Sequence, residues 1–316
     1  MYSPYLFARG SELLALRAVL AEGGDLSRLL PITEPVVTDL AALRRCMEAY
    51  AKSNQPLGVV INPYRHEFND GGARSEAFRA GLQDLFSKHP NLLPTYRVHA
   101  GVTIAKAKKF FNLYKNRPVV LAYHSPTLSP AELKNLAAAP EIIFHVVMDQ
   151  SITTDQWSAI PSKKTIDLRD HFNKLPRNAD YSGREFFTDR HKLIGKSIAG
   201  IGDYATVGRN LDIGGGPPGA IAIHPTYRNK AGDIWIEHFV SDETDRSVGD
   251  IGAKFLDAAG KLTLAVADRP KEFGFNSAIS EFQRHVEDGT FPGLGKNKEH
   301  QIHHHIRLML ETIADT

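Results

Sequence analysis

The chain has 316 residues, of which 42% are hydrophobic and 23% are charged, and its formal net charge is +2. This composition is that of a folded globular protein with ample apolar mass for a core, so it excludes a largely disordered chain. The near balance of charge gives no argument for a nucleic-acid partner. The length fits one large domain or two average ones.

The N-terminal segment and the cysteine content indicate a cytoplasmic protein. MYSPYLFARGSELLALRAVLAEGG (1–24) lacks the basic start and continuous apolar core of a secretion signal, and it reads as a short segment followed by a helix. No window approaches the ~20 apolar residues of a membrane helix. Cys46 is the only cysteine, so an intrachain disulfide and a cysteine-based zinc site are both excluded. We therefore expect a reducing cytoplasm and no membrane partner.

Eight short β-rich segments follow in chain order, and several are continuous apolar runs rather than alternating ones. Such runs are typical of parallel strands covered on both faces. The segments are LLPITEPVV (29–37), LGVVINP (57–63), LLPTYRVHAG (92–101), PVVLAYHS (118–125), EIIFHVVMD (141–149), KTIDLRD (164–170), SIAGIGDY (197–204) and GAIAIHPTY (219–227).

Most intervals between these segments contain a helix-like stretch. SPAELKNLAAAP (129–140) shows the pattern well, because a serine suited to capping precedes a proline at the first helical position. The repeat of strand, loop and helix predicts an α/β fold of the TIM-like (β/α)8 barrel type, and a doubly wound open sheet is the alternative.

Two regions depart from this repeat. The polar stretch 171–196 is long and predicts an excursion over one barrel face. After the eighth segment, RNKAGD (228–233) predicts a hairpin turn into IWIEHFVSD (234–242), an added antiparallel strand. Helices are then expected near 247–266, 276–287 and 298–313. We expect a single domain over 1–316, with a barrel core in 1–240 and a helical extension in 241–316.

Polar side chains occur where each apolar run stops, and this is where (β/α)8 barrels place their active sites. A single residue of this kind is as readily a helix cap or a loop contact, but a ring of them indicates a site. The strand-end residues are Glu34, Asn62, Arg65, His99, Tyr123, His124, Asp149, Asp167, Arg169, Asp203, Tyr204, His224 and Tyr227.

Carboxylates and imidazoles in one ring bind a divalent metal or act as general acid and base. The candidate catalytic residues are Glu34, His124, Asp203 and His224, and the candidate metal ligands are Asp149 and Asp167. None of the tight spacings that identify a metal site occurs among these strand ends. HQIHHHIR (300–307) spreads its histidines over several faces of a helix, which predicts a mostly solvated helix there.

DIGGGPPG (212–219) lies where barrels often hold a phosphate with backbone N–H groups. It matches neither the P-loop nor the dinucleotide fingerprint, and its glycines and prolines are equally suited to a tight turn. Arginines that converge nearby would assist an anionic ligand. The candidate ligand-binding residues are Asn62, Arg65, Arg169, Tyr204, Gly215, Gly216, Tyr227 and His238.

AKAKKFFNLYKNR (105–117) concentrates basic residues beside three aromatic ones. A nucleic acid could use such a surface. The pattern is more often a solvated basic face whose aromatic side chains pack inward, and we expect Phe110, Phe111 and Tyr114 to do so.

Seven blocks, in the same order along the whole chain, resemble the bacterial beta family proteins and, within them, the sce7725-like group. They are MYSPYLFARGSELLALR, LPITEPV, FNKLPRNADY with FFTDRH, GIGDYATVG, GGGPPGAIAIHPTY, IWIEHFVSD and GTFPGLGKNKEH. The resemblance implies a TIM-barrel-like bacterial protein, encoded near a PD-(D/E)XK nuclease-like partner in mobile or phage-defence regions. It transfers no catalytic assignment.

Two hypotheses follow. The first is an enzyme, a metal-dependent phosphoester hydrolase that binds a phosphorylated or nucleotide-like small molecule or a nucleic-acid end. The second is a non-catalytic sensor or binding subunit for a partner nuclease. In either case a hairpin would project His224 and His238 towards the same rim, with Glu237 on the opposite face of its strand.

Overall fold

The computed structural model describes residues 1–70, 72–214, 216 and 218–315. These residues form two compact units, each assembled from separate parts of the chain. The barrel unit contains Met1–Arg9, Gly24–Asp170 and Arg190–Asp203, and the second unit contains Gly10–Gly23, His171–Asp189 and Tyr204–Thr316.

The strands of the described chain are numbered in chain order. They are β1 (Tyr2–Leu6), β2 (Ile32–Thr33), β3 (Leu57–Val60), β4 (Leu92–His99), β5 (Val119–His124), β6 (Ile142–Met148), β7 (Thr165–Leu168), β8 (Arg184–Thr188), β9 (Gly200–Asp203), β10 (Ala222–Ile223), β11 (Thr226–Arg228), β12 (Ile234–Glu237) and β13 (Phe239–Val240).

The helices are numbered in the same way, and none within the described residues is both long and apolar enough to cross a membrane. They are α1 (Gly10–Glu22), α2 (Ala41–Lys52), α3 (Ala73–Ala80), α4 (Gln83–Lys88), α5 (Ile104–Leu113), α6 (Pro130–Ala137), α7 (Thr154–Ser158), α8 (Ile251–Asp268), α9 (Pro270–Phe273), α10 (Ser277–Glu287) and α11 (Leu294–Ala314).

Eight parallel strands close the barrel in the order β1-β2-β3-β4-β5-β6-β7-β9. The ring closes where β9 lies between β7 and β1, with Ile201 paired to Asp167 on one side and to Tyr2 on the other. Helices follow the strands along the chain, and the predicted serine cap of α6 is part of a capping box formed by Ser129 and Glu132. The predicted TIM-like (β/α)8 fold is confirmed.

One strand assignment within that fold was wrong. GAIAIHPTY (219–227) is not the eighth barrel strand, and β1 takes that place with five fully buried residues. Pro225 has no N–H for a ladder, so the segment divides into β10 and β11 around it. Each half then pairs antiparallel with a later strand, β10 with β13 and β11 with β12.

The second unit contains the predicted hairpin and the predicted C-terminal helices. Tyr227 pairs with Trp235 across the β11–β12 hairpin, and β8, from the polar excursion, adds to the other edge of β12. The apolar face of α8 packs on β10 and β13, where Phe255 and Leu262 share one buried cluster with Ile223 and Phe239. Helix α11 corrects the expectation of a solvated helix, because His300, His303, His304 and His305 are all buried.

Gly202 in β9 allows the close approach of β1 that seals the barrel. A Cβ there would overlap the carbonyl oxygen of Ser3. We expect Gly202→Ala to lower the free energy of unfolding by about 1–3 kcal/mol, because a packed backbone must shift. Gly260→Ala, in the middle of α8 with open space around it, is expected to add about 0.5–1 kcal/mol. Urea denaturation of both variants checks this, and a neutral Gly202→Ala would contradict it.

Candidate functional site

Glu34 and Arg97 form a fully buried ion pair at the carboxyl ends of the barrel strands. Arg97 lies on β4, two strands away from β2, and its Nη1 donates to Oε1 of Glu34 at 2.7 Å. The hydroxyl of Tyr5 on β1 donates to Oε2 of the same carboxylate at 2.7 Å. Because β4 is a neighbour of neither β1 nor β2, these side chains meet across the barrel interior. The predicted catalytic residue Glu34 is therefore held by two donors.

Tyr64 and Arg65, which follow β3, lie over this ion pair. The guanidinium carbon of Arg97 is 4.1 Å from the ring centroid of Tyr64, and its Nη2 donates to the tyrosine hydroxyl at 3.2 Å. Nε of Arg65 lies 3.6 Å from Oε2 of Glu34. The carboxylate thus faces two guanidinium groups, so these three side chains together carry one excess positive charge.

The other predicted carboxylates of the barrel are also engaged. Asp203 accepts a 2.8 Å hydrogen bond from the hydroxyl of Tyr2. Asp167 is paired with Arg169 at 3.1 Å and with Arg190. An ion at Asp167 would have to displace these two cations, so its role as a metal ligand stays a prediction.

Asp149 lies directly after β6 and has a left-handed backbone, with φ near 50°. Its Oδ1 accepts a hydrogen bond from the backbone N–H of Asp170 at 3.0 Å. Ser125, directly after β5, has the same left-handed backbone. Conformations of this kind cost energy in residues other than glycine and are frequent at functional sites.

His99 and His124 end two adjacent strands and are paired in register. Burial lowers the pKa of both imidazoles, and the charge of Arg97 lowers it further. Both rings are therefore neutral at pH 7, the form that accepts a proton from a reacting group. His99 also stacks on Tyr64, with ring centroids 6.1 Å apart.

A second buried pair is formed by His145 and Tyr123, of which sequence analysis named only Tyr123. The Tyr123 hydroxyl lies 2.9 Å from Nδ1 of His145, and Nε2 of this buried imidazole has no hydrogen-bond partner. Burial lowers the pKa of His145 to about 4, and it raises the pKa of Tyr123. His145 lies in the middle of β6, so the rule that site residues occur at strand ends does not identify it.

A pocket of about 570 Å³ opens beside the carboxyl ends of β3 and β4. Its cationic lining comes from Arg79 on α3 and from Lys106 and Lys109 on α5. No carboxylate is among the described residues that line it. The predicted residues Asn62 and His99 also line it, together with four aromatic side chains that share its walls: Tyr64, Phe68, Tyr96 and Phe110.

Asn62 has a structural part in this pocket. Its side chain accepts from the backbone N–H of Arg97 at 2.8 Å and donates to the carbonyl of the same residue at 2.9 Å. This pair of bonds fixes the loop after β3 against β4.

The helical cations of the pocket were not identified as site residues from the sequence. Lys106 and Lys109 lie on the predicted basic face of α5. Lys109 and Phe110 are three and four residues after Lys106, so the three side chains share one side of the helix, and this spacing is the signal that could have identified the lysines. That face is solvent-exposed while Phe110 and Tyr114 are buried, as expected, and Phe110 stacks on Tyr96 at 4.8 Å. Phe111 is only half-buried.

His224 and His238 belong to the second unit, so the expectation that His224 ends a barrel strand was wrong. The two imidazoles do meet, with their Nδ1 atoms 2.8 Å apart, so a single proton is shared between them. Glu237 lies on the other face of its strand, where Arg269 and Arg184 bind it. Burial and the neighbouring His238 lower the pKa of His224 to about 3.

Three more predicted ligand-binding residues also lie outside the barrel unit. Tyr204 and Tyr227 are buried in the second unit, where Tyr227 packs on the guanidinium of Arg269 at 5.1 Å. Gly216 is exposed and has no neighbouring atom within 4 Å of an added Cβ. Gly215 lies outside the described residues.

The closed parallel barrel, with buried polar pairs at its strand ends and a cationic pocket beside them, defines an α/β protein of the (β/α)8 barrel class. Comparison with protein families, with curated proteins and with solved structures finds no match for this chain. Any function must therefore be argued from the geometry of its own residues.

Proposed function

We propose that the barrel unit binds a phosphorylated or nucleotide-like ligand, or a nucleic-acid end, in the pocket beside β3 and β4. The observation that supports this proposal is the lining, which combines Arg79, Lys106 and Lys109 without a carboxylate among its described residues. Guanidinium and ammonium groups are the usual partners of phosphate oxygens. The volume of about 570 Å³ lies within the usual range for small-molecule sites.

The aromatic walls favour a ligand that carries a ring. Tyr96 and Phe110 are stacked on each other, and Tyr64 stacks on His99 at the open side. Bases of single-stranded nucleic acids and nucleotides stack on such side chains. A nucleotide would thus place its ring against these walls and its phosphates near the lysines.

Hydrolysis of this ligand is the further step of the proposal, with His99 or His124 as the general base. Both imidazoles are half-buried and neutral at pH 7, because burial lowers their pKa values. Glu34 and Asp203 would position the side chains that bind them rather than accept a proton, since Arg97 and Tyr2 donate hydrogen bonds to their carboxylates.

The second candidate is a binding subunit that catalyses no reaction. This candidate is favoured by the arginines and tyrosines that bind the carboxylates of Glu34, Asp167 and Asp203. A carboxylate that is already ion-paired is a poor base or metal ligand. The resemblance to the sce7725-like group adds a nuclease partner and a defence role to this proposal. The buried thiol of Cys46, the single cysteine of the chain, is compatible with the proposed cytoplasmic location.

Calorimetric titration with ATP and with a 5′-phosphorylated oligonucleotide tests the binding proposal. We expect Lys106→Gln with Lys109→Gln to weaken binding by about tenfold or more, because each lysine loses a charge-assisted contact. Both side chains are exposed, so the fold should be retained. Lys108→Gln with Lys115→Gln, from the same basic segment but outside the pocket lining, is the matched control.

Equal affinities for the two double variants would contradict the proposed pocket. Release of phosphate by the wild type that is lost in His124→Asn while binding persists would support the hydrolase. Binding without release of phosphate from either ligand would support the binding subunit.

A further inference from the structure

Helices α10 and α11 bring a carboxylate and two imidazoles together in the second unit, apart from the residues proposed for the pocket. Glu281 and His285 are four residues apart on α10 and therefore share one face of that helix, and His300 lies on α11. One ligand atom from each side chain lies within 4.8 Å of the other two. This set is the one group of three metal-ligand side chains found among the described residues.

The two imidazoles are buried and each has an unsatisfied nitrogen. His285 is 8% exposed and His300 is 3% exposed, and Nε2 of each ring has no hydrogen-bond partner. Buried polar nitrogens are normally satisfied, and two such atoms in neighbouring rings indicate a missing partner. The ring centroids are 5.7 Å apart, so one small partner placed between the rings would reach both.

The surroundings hold these rings in the form and orientation that a metal ligand needs. Nδ1 of His285 lies 2.9 Å from the hydroxyl of Thr290, which leaves Nε2 of that ring for another partner. Such a contact to the second ring nitrogen is typical of metal-binding histidines. Phe282 lies against His300 and Phe255 against His285, which gives the pair an apolar shell.

The protonation state of the rings is also suitable. Burial, with Lys296 and His285 nearby, lowers the pKa of His300 to about 3, and burial lowers the pKa of His285 as well. Neutral imidazole is the form that binds a metal, so no proton has to be displaced at pH 7.

Two cations lie near this cluster, and both have other partners or a route to solvent. Arg284 contacts the carboxylate of Glu281, but its side chain is 59% exposed and can turn into solvent. Lys296 is paired with Glu299 at 2.6 Å. A dication that binds Glu281 would replace Arg284 there and would satisfy both free ring nitrogens.

We infer that Glu281, His285 and His300 form a binding site for a zinc-class divalent metal ion that ties α10 to α11. Two histidines and one carboxylate are a ligand set used for zinc and for other first-row dications. Ligand atoms around zinc stand about 3–3.5 Å apart at bond lengths near 2.0–2.1 Å, so the spread of 4.8 Å closes with small rotations of the side chains. The site uses three protein ligands, which leaves a coordination position for water.

Zinc titration of the chelator-treated full chain by calorimetry, with cobalt absorption as a second readout, tests this inference. We expect one saturable site, and we expect Glu281→Gln and His285→Gln each to weaken it by at least about tenfold. Thr290→Val should weaken it by about 10–100-fold through the orientation of His285. Thr290 is exposed, so this variant should keep its fold even if His285→Gln does not.

Glu287→Gln removes an exposed carboxylate from the same helix and is the matched control. The chain has 14 histidines, so zinc bound elsewhere must be distinguished from zinc at this site. The inference is overturned by the absence of saturable binding. It is also overturned if the wild type, Glu281→Gln and Thr290→Val bind zinc with equal affinity.

Discussion

Replacing Arg97 with methionine is expected to lower the free energy of unfolding by about 3–5 kcal/mol, because a buried carboxylate loses its charged partner. Both side chains of the Arg97–Glu34 pair are fully buried, and only Tyr5 and the more distant Arg65 would still face the carboxylate of Glu34. Urea denaturation at pH 7 measures the loss. This is one of the largest effects of a single substitution that the structure predicts.

Two further variants separate this cause from lost packing. Glu34→Gln combined with Arg97→Met removes both charges while the glutamine oxygen still accepts from Tyr5, so we expect more than half of the loss to be recovered. Arg177→Met breaks the exposed pair with Asp180 and should cost less than about 1 kcal/mol. A loss from Arg97→Met as small as the one from Arg177→Met would show that Glu34 is not a buried charge.

Lowering the pH from 7.5 to 5 is expected to remove at least about 6 kcal/mol of stability, about 2 kcal/mol through each of three buried histidines. Burial lowers the pKa of His145 and His304 to about 4 and of His224 to about 3. These folded-state values lie below the value of about 6.5 in the unfolded chain, so the unfolded chain binds more protons below pH 6.5. Stability is therefore complete above pH 6.5 and decreases as the pH falls towards 4. Each group contributes about 2 kcal/mol at pH 5.

The contacts of His304 show why protonation opposes folding. Its Nε2 lies 2.7 Å from the carbonyl oxygen of Thr226, and its Nδ1 lies 3.0 Å from the side-chain nitrogen of Asn276. The ring is then a donor at Nε2 and an acceptor at Nδ1. A second proton would place an N–H against the amide group of Asn276.

Urea denaturation at several pH values checks the acid effect. His145→Phe keeps the ring stacked on Tyr123 and removes one titrating group, so the slope of stability against pH below 6.5 should fall by about one proton. A total loss of less than about 2 kcal/mol between pH 7.5 and 5 would contradict the expected burial of these groups.

The barrel was predictable because buried parallel strands have a strong signature in the sequence. Runs such as LAYH in β5 and FHVVM in β6 are apolar on both faces, and the helix between them has a serine cap. The first strand was not predictable in the same way, since YSPYL is short and contains a proline and two tyrosines. Its place in the ring depends on pairing with Ile201, about 200 residues away. No local pattern carries that information.

The candidate site was predictable only in part for a related reason. Rules about strand ends identified Glu34, Asn62 and His99, which the structure places at one end of the barrel. They did not identify Arg97, because an arginine inside a strand is normally solvated and its partner lies 63 positions earlier. The three cations of the pocket lie on helices rather than at strand ends, and their convergence is a property of the tertiary fold.

The closure of the barrel between β1 and β9 has a consequence for synthesis on the ribosome. Tyr2 pairs with Ile201, so the first strand of the barrel to be made has one edge open until residue 201 has emerged. At about 5–20 residues per second this interval lasts roughly 10–40 s. Over that time the nascent chain exposes two unpaired strand edges, which are prone to join other chains. We therefore expect chaperone binding to the nascent chain during this interval.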